Sequence, residues 1–165
     1  MKNVLKHAKA NVSIRDKETG ELLFNKSNLF VDAGRALIAG LFLGTIGIDK
    51  TKYACDFGDD ATTPAVNDVD LVNYIDVSVG INEPSYPMAL SGEGTGVHFQ
   101  FEYSAAGDTT IRELGLFHRP TSASFPAAVR GVDDVGDMLA RLVTTYGSIF
   151  VGTGRTITID WKIIF

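Results

Sequence analysis

Residues 155–165 alternate apolar and polar side chains almost without fault. Ile157, Ile159, Trp161, Ile163 and Phe165 fall on one face, and Thr156, Thr158, Asp160 and Lys162 on the other. A period of two predicts a β-strand buried on one side. The same rhythm places Val97, Phe99, Phe101 and Tyr103 opposite His98, Gln100, Glu102 and Ser104. Residues 105–108 read as a turn carrying that strand into residues 109–118, an antiparallel hairpin with one wet face. Residues 10–15 and 21–31 predict an earlier pair of strands, joined by a loop whose Asp16 and Gly20 suit a hairpin. Further strands are expected over residues 53–58, more weakly over 76–81, and over 138–146, with a 147–154 segment leading into the last strand.

Helical spacing is confined to one substantial stretch. Asp32 reads as an N-cap, Ala33, Ala36, Leu37, Gly40 and Leu41 share a face, and Gly44 closes the helix. The small residues of that face would let it lie close against a sheet or a neighbouring subunit. Residues 68–75 are expected to form one helical turn. Pro84 and Pro87 interrupt any sheet over residues 83–87, because proline cannot donate to the ladder. Residues 59–68, with Pro64 and several Asp and Asn side chains, form a polar loop. Residues 119–136 show no pattern and are long enough to contact a partner. The basic segment 1–9 (Lys2, Lys6, His7, Lys9) is a terminal arm, for which fraying is the ordinary expectation. Several antiparallel strands, frequent glycines and no βαβ rhythm predict a mainly β chain. Its expected architecture is an antiparallel β-sandwich, jelly-roll-like, with one short α-helix and a single domain over residues 10–165. No solenoid-length repeat is present.

The length of 165 residues allows one domain that buries roughly 70% of the surface its unfolded chain exposes. A single cysteine, Cys55, cannot form an intramolecular bridge. With no signal peptide at the N-terminus, a buried thiol in a reducing cytoplasm is expected. A formal charge of −5 argues against a phosphate backbone as main partner. The apolar run at 36–43 is far short of the ~20 residues that span a bilayer, so neither nucleic acid nor membrane is expected as a partner. Residues 92–96 have part of a phosphate-loop spacing but enter a strand and lack the lysine that ends such a loop. Residues 152–155 fail the same test. Asp56, Asp59, Asp60, Asp68 and Asp70 have the oxygen chemistry for calcium but not the spacing of an EF-hand loop, and a solvated turn is the plainer reading. His7, His98 and His118 show no zinc pairing, and no nucleophile elbow occurs. The chain is expected to be no enzyme and to carry no cofactor.

Two blocks carry a resemblance. Residues 28–41 with 57–71, the latter ending Thr63-Pro64 and Asp68-Val69-Asp70-Leu71, are similar to the front half of a family of small tailed-bacteriophage virion proteins. Glu113-Leu114-Gly115-Leu116-Phe117, Leu139-Ala140-Arg141 and the closing Ile157-Thr158-Ile159-Asp160-Trp161-Lys162-Ile163 resemble that family's back half, in the same order. The chain departs from the family pattern at residues 57–60, which lack the second glycine of the usual turn, and in the longer loop after Arg119. The resemblance implies a structural subunit of the tail, baseplate or head surface, assembled in the host cytoplasm through multivalent symmetric contacts with other virion proteins and with its own copies. By analogy a trimer is expected, and no catalytic residue is carried over. The alternative is a receptor- or glycan-binding module, with Tyr86, Phe125 or Tyr146 around a polar groove. Asp59, Asp60, Pro64, His118, Arg119, Phe125 and Arg130 are the partner-contact candidates, since loops on a rigid sheet carry contacts.

Overall fold

The structure, a computed structural model, describes residues 9–32, 34–36, 38, 52–82, 85–90, 96–118, 137–144 and 148–164. Among the described residues eleven strands are formed: β1 (Lys9–Asp16), β2 (Leu22–Phe30), β3 (Tyr53–Gly58), β4 (Tyr74–Gly80), β5 (Met88–Ala89), β6 (Gly96–Ser104), β7 (Thr109–Ile111), β8 (Glu113–His118), β9 (Asp137–Val143), β10 (Ile149–Val151) and β11 (Thr156–Ile164). The mainly β, antiparallel architecture read from the alternation is the one observed. Nine strands are joined in the order β4-β3-β8-β9-β2-β1-β11-β6-β5, and β10 pairs with β7.

The terminal strand lies between β1 and β6, with Trp161 opposite both Val12 and Phe99. Its apolar residues Ile157, Ile159, Trp161 and Ile163 are buried. The indole N–H of Trp161 is 3.2 Å from the side-chain oxygen of Asn28, whose amide nitrogen donates to Ala10 O at 2.9 Å. An interior polar atom is thereby satisfied. β2 belongs to two layers: its first part pairs with β1, while Leu29 and Phe30 pair with Arg141 and Ala140 of β9. The connected strands fold over so that β3 faces β6 across the core. Tyr53 and Phe99 have ring centroids 4.9 Å apart, and Phe57 and Tyr103 5.0 Å. The layers are stitched where Ile81 bridges to Phe101 and Asn82 N donates to Gln100 O at 2.8 Å. Cys55 is buried in this core.

Three expectations need correcting. Residues 97–118 are not a hairpin: β6 pairs with β11 along its length and with Met88 and Ala89 of β5, and not with residues 109–118. The chain instead passes through β7, which pairs with β10 in a separate two-stranded sheet, into β8, which lies between β3 and β9. Nor has β8 a wet face, since all six of its residues are buried. Residues 68–75 make no helical turn: the N–H groups of Leu71, Val72 and Asn73 go to carboxylates of Asp70 and Glu113 rather than back to carbonyls, and β4 begins at Tyr74.

The helix α1 is described at Asp32, residues 34–36 and Ile38. Arg35 N donates to Val31 O, so Val31 holds the N-cap position and Asp32 opens the first turn. There its carboxylate suits the helix dipole and pairs with Arg35 at 2.6 Å. Gly34 and Ile38 are buried whereas Ala36 is exposed, so the inward face is set one residue away from the predicted stripe. A Cβ on Gly34 would collide with the backbone of Leu139; the glycine lets α1 lie directly on β9. Lys9, read as the end of the terminal arm, instead opens β1; the remaining helix positions, residues 1–8 of the arm and the 119–136 loop fall outside the described residues, as do the contact candidates Arg119, Phe125 and Arg130.

Candidate functional site: a strap pinned to the second layer

Alternation along β8 sends Leu114 and Leu116 inward and leaves Glu113, Gly115 and Phe117 on the outer face. Arg141 of β9 stands opposite Gly115 in register. Two charged side chains on a face of a sheet require cover with partners of its own. Residues 59–73 supply it as a strap. Arg141 Nε donates to Glu113 Oε1 at 2.6 Å, Nη1 to Asp68 Oδ2 at 2.7 Å and Nη2 to the Thr62 carbonyl at 3.2 Å. Glu113 also accepts the backbone N–H groups of Val72 at 2.9 Å and Asn73 at 3.3 Å. Asp68 accepts that of Ala65 at 2.8 Å. Arg141 and Glu113 are both essentially inaccessible to solvent. Burial pulls the Arg141 pKa down, but hydrogen bonds and charge from Asp68 and Glu113 outweigh it and hold it above the ordinary arginine value.

The fit leaves no room for larger residues beneath the strap. A Cβ on Gly58 would collide with Glu113 Oε2 and stand 2.8 Å from the Asn73 carbonyl. One on Gly115 would meet the Phe117 ring and Leu71. Leu71 is the strap's apolar anchor, clustered with Val31, Phe117 and Met138. At the other end Asp32 N donates to Val66 O at 2.7 Å.

The contact candidates separate cleanly. Asp59 is exposed and bonded to the Asn73 side chain. Asp60 accepts from Thr62 N at 2.6 Å, and its pKa is lowered chiefly by Thr62, with a smaller part from the Arg141 charge. Pro64 borders a cleft of about 220 Å³ where β2 and β9 splay apart, together with Ser27, Asn28, Arg141 and Val143. His118 is not offered to a partner: it is 1% exposed, with its ring 5.1 Å from that of Tyr53. The reason is register, since β8 carries residue 118 beside Tyr53 inside the fold. Of the residues that build the joint, Glu113 and Arg141 were not among the candidates, and Asp68 was considered only for calcium. Their signal was a charge on each of two strongly apolar strand segments.

The five aspartates considered for calcium do not converge. Asp56 is buried and accepts from Ser78 Oγ at 2.7 Å, Asp68 is engaged by Arg141, and Asp70 accepts from Leu71 N. Among the described residues no group of three His, Cys, Asp or Glu side chains is placed to hold a metal ion, and no helix is long and apolar enough to cross a membrane. A second polar cluster lies on the outer face of β6 and β11, where His98 Nε2 is 2.8 Å from Asp160 Oδ1 and Gln100 donates to the same oxygen at 3.0 Å. Tyr86 is packed edge-on to His98 at 4.9 Å. Tyr146 lies outside the described residues. No family model, curated protein or solved structure matches this chain.

Proposed function

We propose that this chain is a structural component of a tailed-bacteriophage virion, a small β-sandwich subunit of the tail, baseplate or head surface that works through symmetric protein–protein contacts. The observation that supports this reading is the use made of the residues behind the resemblance. Asp68 and Leu71 come from the first block and Glu113, Gly115 and Arg141 from the second, and all five meet in the strap joint. Every one of them serves architecture. The oxygens of Glu113 and Asp68 are taken up by Arg141 and by backbone N–H groups, an arrangement suited to rigidity rather than to proton transfer. A rigid scaffold repeated by symmetry gains affinity through multiplicity, and a homo-oligomer, a trimer by analogy, follows from the same reading.

The test is mass spectrometry of density-purified particles from a phage lysate of the strain that encodes the chain. Peptides at a copy number comparable with known tail or head proteins are expected. Particles that contain none, while the lysate supernatant does, overturn the proposal.

A further inference from the structure

We infer that the outer face of strands β2, β1, β11 and β6 is a binding platform for a neutral oligosaccharide, laid across the strands over Ser13, Asp160 and Gln100. This goes beyond the structural role proposed above and does not depend on it. Sheet register aligns the polar side chains of this face into rows. Asn25 of β2 lies opposite Ser13 of β1, Ser13 opposite Asp160 of β11, and Asp160 opposite Gln100 of β6. Alternation turns the row away from the core, which the flanking Val12, Ile14, Ile159, Trp161, Phe99 and Phe101 fill. Beyond Gln100 the side-chain amide of Asn82 donates to Gln100 Oε1 at 3.1 Å and lengthens the row past β6. With neighbouring strands about 4.8 Å apart, five groups in line cover about 19 Å, a length suited to a short run of sugar rings.

Part of the row is fixed and part is open. His98 Nε2 and Gln100 Nε2 both meet Oδ1 of Asp160, at 2.8 and 3.0 Å. The other carboxylate oxygen of Asp160, the Ser13 hydroxyl and the Asn25 amide make no hydrogen bond among the described residues. Burial raises the Asp160 pKa, but the bonds from His98 and Gln100 outweigh it, so the group is an anionic acceptor at neutral pH. A carboxylate oxygen, a hydroxyl and a primary amide side by side offer the acceptors and donors that adjacent sugar hydroxyls require. Strands hold them in place before the ligand arrives, which lowers the ordering cost of binding. In the adjacent row Tyr86 packs edge-on to His98, with ring centroids 4.9 Å apart, and supplies an apolar ring beside the polar groups for the C–H face of a sugar.

The chemistry of the face selects the occupant. Lys162 adds its charge to Asp160, and Lys17 pairs with Glu102 at 2.6 Å; the balance of charge suits an uncharged ligand. From Asn25 to Gln100 the row holds no apolar side chain on which a protein partner could anchor. The formal charge of −5 opposes a phosphate backbone.

The experiment begins with the full chain on a printed array of neutral, sialylated and sulfated oligosaccharides. Retention by neutral oligosaccharides is expected. The best-retained one is then titrated into 15N-labelled chain, where amide shifts should centre on Ser13, Asp160 and Gln100 and saturate. A Ser13→Val/Asn25→Val variant removes two open groups and puts better strand formers in their place; its melting transition should hold while binding weakens about ten-fold. Asp160→Asn, which keeps an acceptor but loses the charge, should weaken binding several-fold. Retention of no neutral oligosaccharide, or of acidic ones alone, overturns the inference. So do shifts centred elsewhere, such as the cleft beside Pro64, or binding as tight as the native chain's in both variants.

Discussion

Arg141 shows how one side chain can hold a segment in place. Its guanidinium offers donors in a fixed fork, and three of its nitrogens reach Glu113, Asp68 and a strap carbonyl. Removing it leaves Glu113 buried without its counter-charge, which typically costs 3–5 kcal/mol; Arg141→Ala should show about that loss in urea unfolding. Trp161→Ala should cost a similar ~3–5 kcal/mol through its cavity, measured the same way. These two residues differ in how they could be foreseen. Trp161 was legible because alternation is local and places it inward whatever surrounds it. Arg141 was not, because its carboxylate partners lie 28 and 73 residues away in sequence. His118 failed for a related reason: a polar residue next to a loop reads as surface until its strand neighbour is known.

Among the elements, the strap and the start of α1 are fixed by close contact rather than by propensity. Asp68→Asn keeps an acceptor but removes the charge facing Arg141. Limited proteolysis should then cut within residues 59–73 several-fold faster, whereas Asp59→Asn/Asp60→Asn should cut at close to the native rate. Gly34→Ala inserts a methyl group into the Leu139 backbone and should destabilise by ~1–3 kcal/mol despite alanine's better helix propensity. Most strand positions were readable from apolar periodicity. Pairing was not: nothing local to residues 105–108 reveals that β6 already has partners on both edges. The helical turn expected over residues 68–75 was a misreading because carboxylates accepting backbone N–H groups leave, in sequence, the same polar composition as a capped turn.

On the scale of the whole molecule, acid should weaken the fold through particular carboxylates. Asp16 is held below the ordinary 3.8 chiefly by the backbone N–H of Thr19, and Asp108 by that of Thr153. For Asp160, burial raises the pKa, but hydrogen bonds from His98 and Gln100 bring it down on balance. The unfolded chain thus binds these protons at higher pH than the native one does. Their contribution is complete above 3.8 and is lost as pH falls below it through the lowered native values. Melting temperature should hold nearly level from pH 7 to 5 and drop below pH 4, and Asp16→Asn should flatten the drop. The shared strand β2 carries a different consequence, for biosynthesis. Its N-terminal half lies beside β1, and β1 has its other edge closed by β11. Until β11 has emerged from the ribosome, the nascent chain displays an open strand edge, a template for intermolecular pairing. At about 5–20 residues per second, the stretch from the end of β2 to the end of β11 leaves that edge uncovered for about 7–27 s. Slow translation of the 3′ half of the message should therefore raise the aggregated fraction more than slow translation of the 5′ half, a difference that synonymous-codon variants and sedimentation would reveal.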